Sequence, residues 1–159
     1  MGRFMTVLSK TALDMLRRHE GFRAKAYRCS AGKLSIGYGY NLEANPLQLT
    51  AKEIRDMKSH GISKPMAEAL FIRTLAQVEH QVGNKIIWLS KLTDVRQSVL
   101  VNMAYNLGID GLLKFKKTLA HIERGEYAAA SVEMLDSKWY RDVGNRALEL
   151  SNIMKTGVE

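Results

Sequence analysis

The feature that most limits the fold of this chain is a single change of pattern. From about residue 24 to residue 40 it reads as β structure, AKAYRC, then SAGK, then LSIGYGY, and almost everywhere else it reads as helix. Two runs rich in Tyr and Ile around Gly32 predict a hairpin. Gly37 and Gly39 are poor strand residues, so their place in the second run predicts a bulge or another group lying close to the backbone.

The flanking helices carry their own signals. Ser9 is placed to cap a helix with apolar Ala12, Leu13, Met15 and Leu16, a basic last turn of Arg17, Arg18 and His19, and a stop at Gly21. Thr50-Ala-Lys-Glu53 is a capping box for a short helix ending near Gly61. Ser63 and Pro65 then open a longer segment, with Met66, Leu70, Leu75 and Val78 on its apolar positions, that runs to Gly83 over about 28 Å. Thr93-Asp94 starts another helix ending at Gly108, and further helical patterns run about 112 to 124, 126 to 136 and 145 to 155. One small sheet near one end and helices elsewhere make an α+β chain. The division this suggests is a small lobe with the hairpin over residues 1–63, a long bridging helix over 64–82 and a helical lobe over 83–159.

Composition narrows the function classes. With 159 residues, 46% hydrophobic, the chain has enough apolar material for its own core and needs no staples. Its one cysteine, Cys29, excludes an intramolecular disulfide framework and a cysteine-based zinc site. The four histidines, His19, His60, His80 and His121, never pair four residues apart, so no metal site is expected. No run approaches the roughly 18 apolar residues of a membrane span, and Ser9, Lys10 and Asp14 interrupt the beginning of the chain before a secretory apolar region can form. Net charge is +8, and it is uneven: residues 1–63 hold 11 Lys plus Arg against 5 Asp plus Glu, whereas residues 64–159 hold 13 against 11. A polyanionic partner fits that asymmetry. Nucleic acid is not expected, because no helix-turn-helix, zinc finger or aromatic RNA-binding strand is present.

The stretch that carries chemistry is H-E-G-F-R-A-K-A-Y-R-C-S-A-G-K-L-S-I-G-Y-G, residues 19 to 39. Glu20 leaves a helix end, Cys29 closes the first β run, and Ser35 opens the second across the Gly32 turn. The hairpin brings Cys29 and Ser35 together, and Gly21 lets the chain fold back toward Glu20. Cleaving a glycosidic bond needs an acid for the leaving oxygen and a second group that activates water or attacks the sugar. The negative end of the helix dipole favours the proton-donating form of a carboxyl there. A thiol is a poor base at neutral pH until a cation such as Arg23 or Arg28 favours thiolate. A serine hydroxyl can hold the water.

E-G-F-R-x-K-A-Y-x-C-x-x-G-x-x-S-I-G-Y-G resembles the signature of the phage-type lysozymes, the endolysin muramidases: Glu, eight residues, Asp or Cys, five residues, Thr, within E-G-x-R and T-I-G-x-G. L-V-N-M-A-Y-N-L-G at 100–108, F-x-x-T-L at 115–119, W-Y at 139–140, N-R-A at 145–147 and T-G at 156–157 are similar to later segments of the same family, and the stretch from 42 to 92 matches least. The resemblance implies a lysozyme-like α+β fold with a saccharide cleft, and hydrolysis of the β-1,4 bond between N-acetylmuramic acid and N-acetylglucosamine in bacterial peptidoglycan. It implies Glu20 as proton donor, Cys29 in the place of the second catalytic residue and Ser35 in that of the Thr. Asn41, Tyr105, Thr118 and Glu133 fall at saccharide-binding positions, and Arg146 matches an arginine that approaches the catalytic glutamate. Ser35 lacks the methyl that restricts a Thr rotamer, and Tyr40 stands where the family often has His. The implied enzyme is a monomer without cofactor, held in the host cytoplasm until a holin opens the membrane. Three other readings of the same residues are a lytic transglycosylase, a catalytically silent wall-binding domain, and a cationic membrane-disrupting protein.

Overall fold

The computed structural model describes residues 6–29 and 32–159. Ser30 and Ala31 of the expected turn, and residues 1–5 of the stretch weighed as a leader, lie outside the described residues. The elements in chain order are α1 (Lys10–Glu20), β1 (Arg23–Arg28), β2 (Leu34–Gly37), β3 (Tyr40–Asn41), α2 (Ala51–His60), α3 (Lys64–Lys85), a 3-10 turn (Leu89–Lys91), α4 (Asp94–Leu113), α5 (Lys116–Glu123), α6 (Tyr127–Leu135), α7 (Lys138–Val143) and α8 (Asn145–Thr156). The fold is α+β and lysozyme-like.

The chain divides into two compact units. The first holds residues 14–77, the second residues 6–13 and 78–159. Thus α1 gives Lys10–Leu13 to the second unit and Asp14–Glu20 to the first, and α3 divides between Gln77 and Val78.

In the first unit a three-stranded antiparallel sheet in the order β1-β2-β3 pairs Tyr27 with Ser35, Ser35 with Asn41 and Ile36 with Tyr40. The run LSIGYGY, expected to be one strand, is two. Gly37 (φ 66°) and Gly39 (φ 74°) both take left-handed backbone, and the chain reverses between Ile36 and Tyr40. In this unit Leu16, Ile36, Tyr40, Leu42, Ala67, Phe71 and Leu75 are buried. Tyr38 stacks at a tilt between Phe22 and Phe71, with ring centroids 5.7 and 5.5 Å away. Arg17 reaches Glu68 through two nitrogens and lies 5.1 Å above the Phe71 ring, which raises its pKa chiefly through the Glu68 hydrogen bond. The helix signals act as read: Thr50 and Glu53 form both halves of a capping box, and the Ser9 hydroxyl, in the second unit, accepts the Ala12 N–H at 3.0 Å. Met66, expected on the apolar face of α3, is 54% exposed.

The second unit is all helical among the described residues. α4 is broken at Gly108 (φ 77°, ψ 161°), where a helix end was expected, and resumes to Leu113. The next helix therefore begins at Lys116 rather than near 112. α7 was not anticipated; it is six residues long and starts where the Ser137 hydroxyl accepts the Tyr140 N–H. The core is built on Val99, Leu100, Met103, Leu112, Ile122, Met134, Leu150 and Met154. Trp139 packs edge-on against Phe115 and donates its indole N–H to Asn106 Oδ1 at 2.7 Å. Arg96 closes the end of α8. Its Nε and Nη2 donate to the Met154 and Lys155 carbonyls, and its guanidinium lies 3.6 Å above the Tyr127 ring.

Candidate active site

Glu20 is the last residue of α1, and Gly21 (φ 68°) ends the helix with its N–H on the Arg17 carbonyl. The chain then turns straight into β1. The return of the sheet brings Gly39 onto the Glu20 carboxylate so closely that a Cβ at that position would strike Oε1 and sit 3.0 Å from the carboxyl carbon. Glu20 Oε2 is buried, as is Nε2 of the neighbouring His19. The close approach that Gly39 predicts is thus made to the side chain that the motif singles out.

Cys29 and Ser35 lie together on the hairpin. The Cys29 N–H donates to the Lys33 carbonyl at 2.9 Å and the Gly32 N–H to the Cys29 carbonyl at 2.8 Å, so the ladder closes in a short turn. Residues directly opposite in an antiparallel sheet share a face. Tyr27, Ser35 and Asn41 therefore form one row across the three strands. Cys29, two residues beyond Tyr27, returns to the same side. Ser35 is buried and its hydroxyl donates to the Lys33 carbonyl at 3.3 Å. Asn41 Oδ1 accepts the N–H groups of Glu43 and Ala44, which starts the next turn and leaves the amide NH2 as its donor.

A charged pin holds the hairpin. Glu43 accepts the Leu34 N–H at 2.7 Å and Arg28 Nη1 at 2.8 Å, and Arg28 also donates to the Gly32 carbonyl. The Leu34 hydrogen bond first, and the Arg28 charge after the cost of desolvation, hold the Glu43 carboxyl below its ordinary range. Tyr40 pins the following loop: its hydroxyl donates to Asn45 Oδ1 at 2.6 Å and accepts the Leu47 N–H. At the position where the family often has His, this chain thus has a residue spent on local structure.

Tyr27 was not singled out by its sequence, since tyrosine is an ordinary strand residue. Its phenol is pushed above the usual range, first by burial and then by the negative charge of Glu20 and of Cys29 when ionised, with Arg23 opposing. It therefore stands within electrostatic reach of both groups. Arg23 lies 4.7 Å above its ring.

The remaining expected site residues belong to the second unit. Tyr105 is half-buried on α4, Thr118 is buried in the first turn of α5, and Glu133 is half-buried on α6. Arg146, near the start of α8, is buried, and its Nε and Nη2 donate to Asn102 Oδ1 at 3.1 and 2.8 Å. That fork fixes the guanidinium plane. Among the described residues no cluster of three His, Cys, Asp or Glu side chains is arranged to hold a metal ion, and no helix is long and apolar enough to cross a membrane.

The chain matches the phage lysozyme family over residues 17–153. It is 28% identical over 159 residues to "Probable T4-type lysozyme 1" of Dictyostelium discoideum, covering 91% of this chain and 93% of that protein. It is also 28% identical to an endolysin of Acyrthosiphon pisum secondary endosymbiont phage 1, over 93% of this chain and 90% of that one. Against the pre-baseplate central spike protein Gp5 of Enterobacteria phage T4 identity is 31%, but the chain spans only 27% of that protein's length. With residues 19–39 inside the matched span and most of both units covered, the chain belongs to the phage lysozyme family and is a peptidoglycan-hydrolysing lysozyme of the endolysin type.

Proposed function

We propose that Glu20, Cys29 and Ser35 carry out hydrolysis of the β-1,4 bond between N-acetylmuramic acid and N-acetylglucosamine. Glu20 protonates the bridging oxygen as its bond to the muramyl anomeric carbon breaks. One water adds to that carbon and gives its proton to the Cys29 thiolate, with Ser35 holding the water. The observation that carries this reading is the seat of Glu20. A proton donor has to be held in one place and kept from bulk water, and a glycine backbone pressed on the carboxylate together with a buried Oε2 does both. Asn41, Tyr105, Thr118 and Glu133 bind the saccharide in this reading, and Arg146 supplies a fixed positive charge oriented by Asn102. The excess of positive charge suits an anionic wall. The enzyme works as a monomer that a holin releases from the host cytoplasm.

The test is lysis from within. Cells expressing the protein without a holin should keep their turbidity until the membrane is permeabilised, then clear. Glu20→Gln should lose activity by about a thousandfold, Cys29→Ala should lose most of it, and Cys29→Asp should retain a large part. Products one water heavier than anhydro sugars, read by mass spectrometry, complete the assignment. A Glu20→Gln protein that clears cells as fast as wild type would overturn it, and anhydro products would make the enzyme a lytic transglycosylase.

A further inference from the structure

Tyr27 has no part in the reaction as written above, yet it stands at one end of the cross-strand row that holds Ser35 and Asn41. The register sets it directly opposite Ser35, and Ser35 opposite Asn41, so the three side chains share one row. Cys29 follows two residues later on the same side, tied to the ladder by its N–H on Lys33. On the ring, the Arg23 guanidinium lies 4.7 Å from the centroid and limits where the phenol can point.

The electrostatics agree with the geometry. Burial, Glu20 and Cys29 all disfavour the phenolate, so through neutral pH the hydroxyl keeps its proton and remains a donor, within electrostatic reach of both groups. A tyrosine kept here only to pack a strand would use its ring and have no need of the oxygen. A half-buried phenol in a row of polar side chains, feeling the charge of the acid and the thiol, is placed to hydrogen-bond a small polar reactant.

We propose that Tyr27 is a further catalytic residue, whose O–H donates to the attacking water and aligns it between Cys29 and Ser35. The inference rests on the roles given above to Glu20 and Cys29. Tyr27 gives up no proton in the step: the water's proton goes to the Cys29 thiolate, its hydroxide adds to the anomeric carbon, and the Glu20 proton leaves with the departing sugar.

Tyr27→Phe tests it, because the ring and its stacking with Arg23 are kept while the donor is lost. Rates of muropeptide release from purified wall should show kcat lower by about 10-fold to 100-fold, as for loss of alignment of a reacting group, with KM changed less than about threefold and thermal unfolding within a few degrees of wild type. Three results would overturn the proposal: wild-type kcat, a loss confined to KM, or a loss of rate that follows a loss of folded protein. Glu20→Gln in the same assay separates the two readings. If Glu20→Gln is inactive and Tyr27→Phe is unaffected, only the role of Tyr27 falls; if Glu20→Gln is active, the assignment of the site falls with it.

Discussion

Gly39 in the first unit and Gly157 in the second use the same device for different ends. Both have φ of 74°, and at both a Cβ would meet a charged side chain, the Glu20 carboxylate in one case and the Arg96 guanidinium, 3.0 Å away, in the other. Beside Gly39 the charge belongs to the group proposed above as the proton donor. Beside Gly157 the charge is spent on carbonyls at the end of α8 and on the Tyr127 ring. Backbone that admits no side chain is thus a way to seat a charge firmly, and the neighbours decide whether that charge does chemistry or architecture. The rest of each unit follows suit. The first presents a polar row on a small sheet, whereas in the second Trp139 on Asn106 satisfies a buried polar atom within the helices.

The comparison can be broken by substitution. Gly39→Ala should have the largest effect, lowering lytic activity about 100-fold or more because the added methyl displaces the Glu20 carboxylate, the proposed proton donor. Activity within a few-fold of wild type would show that Glu20 tolerates a different seat. Gly157→Ala should act on stability alone, at about 1–2 kcal/mol for a left-handed alanine. For a chain of this size that is a fall of roughly 2–8 °C in Tm, with kcat unchanged; a comparable loss of rate would mean that the two glycines do not differ in kind. The smallest effect concerns the pin on the hairpin. The Glu43 carboxyl is held below its ordinary range in the folded state, so its contribution is fully present above the unfolded value and is lost as pH falls through the folded one. Glu43→Gln should therefore show a shallower decline of Tm than wild type between about pH 5 and pH 3, and parallel curves would remove Glu43 from the account.

What could be read in advance was what is local. Thr50 and Glu53 lie three residues apart and satisfy each other, so the start of α2 is written in four letters. Cys29 and Ser35 could be brought together because a short hairpin leaves little choice of register. The reversal at Gly37 and Gly39 was hidden within an apparently continuous β run, since either glycine alone suggests only a bulge. Arg146 and Asn102 are 44 residues apart, and nothing in the text of the chain pairs them. Tyr27 escaped notice for a different reason. Its residue type is common in strands, and only the register shows what it faces.

The mixed membership of α1 also bears on the order in which the molecule can be made. The Thr6 hydroxyl and the Val7 N–H donate to Glu79, and the Ser9 hydroxyl donates to Glu159, 150 residues further on. Leu8 and Ala12, buried in the second unit, leave the ribosome before the whole of the first unit. A chain growing from its amino end therefore synthesises this segment early and uses it late: residues 14–77 emerge while the eight residues ahead of them still await partners, and the oldest part of the second unit is completed by its newest.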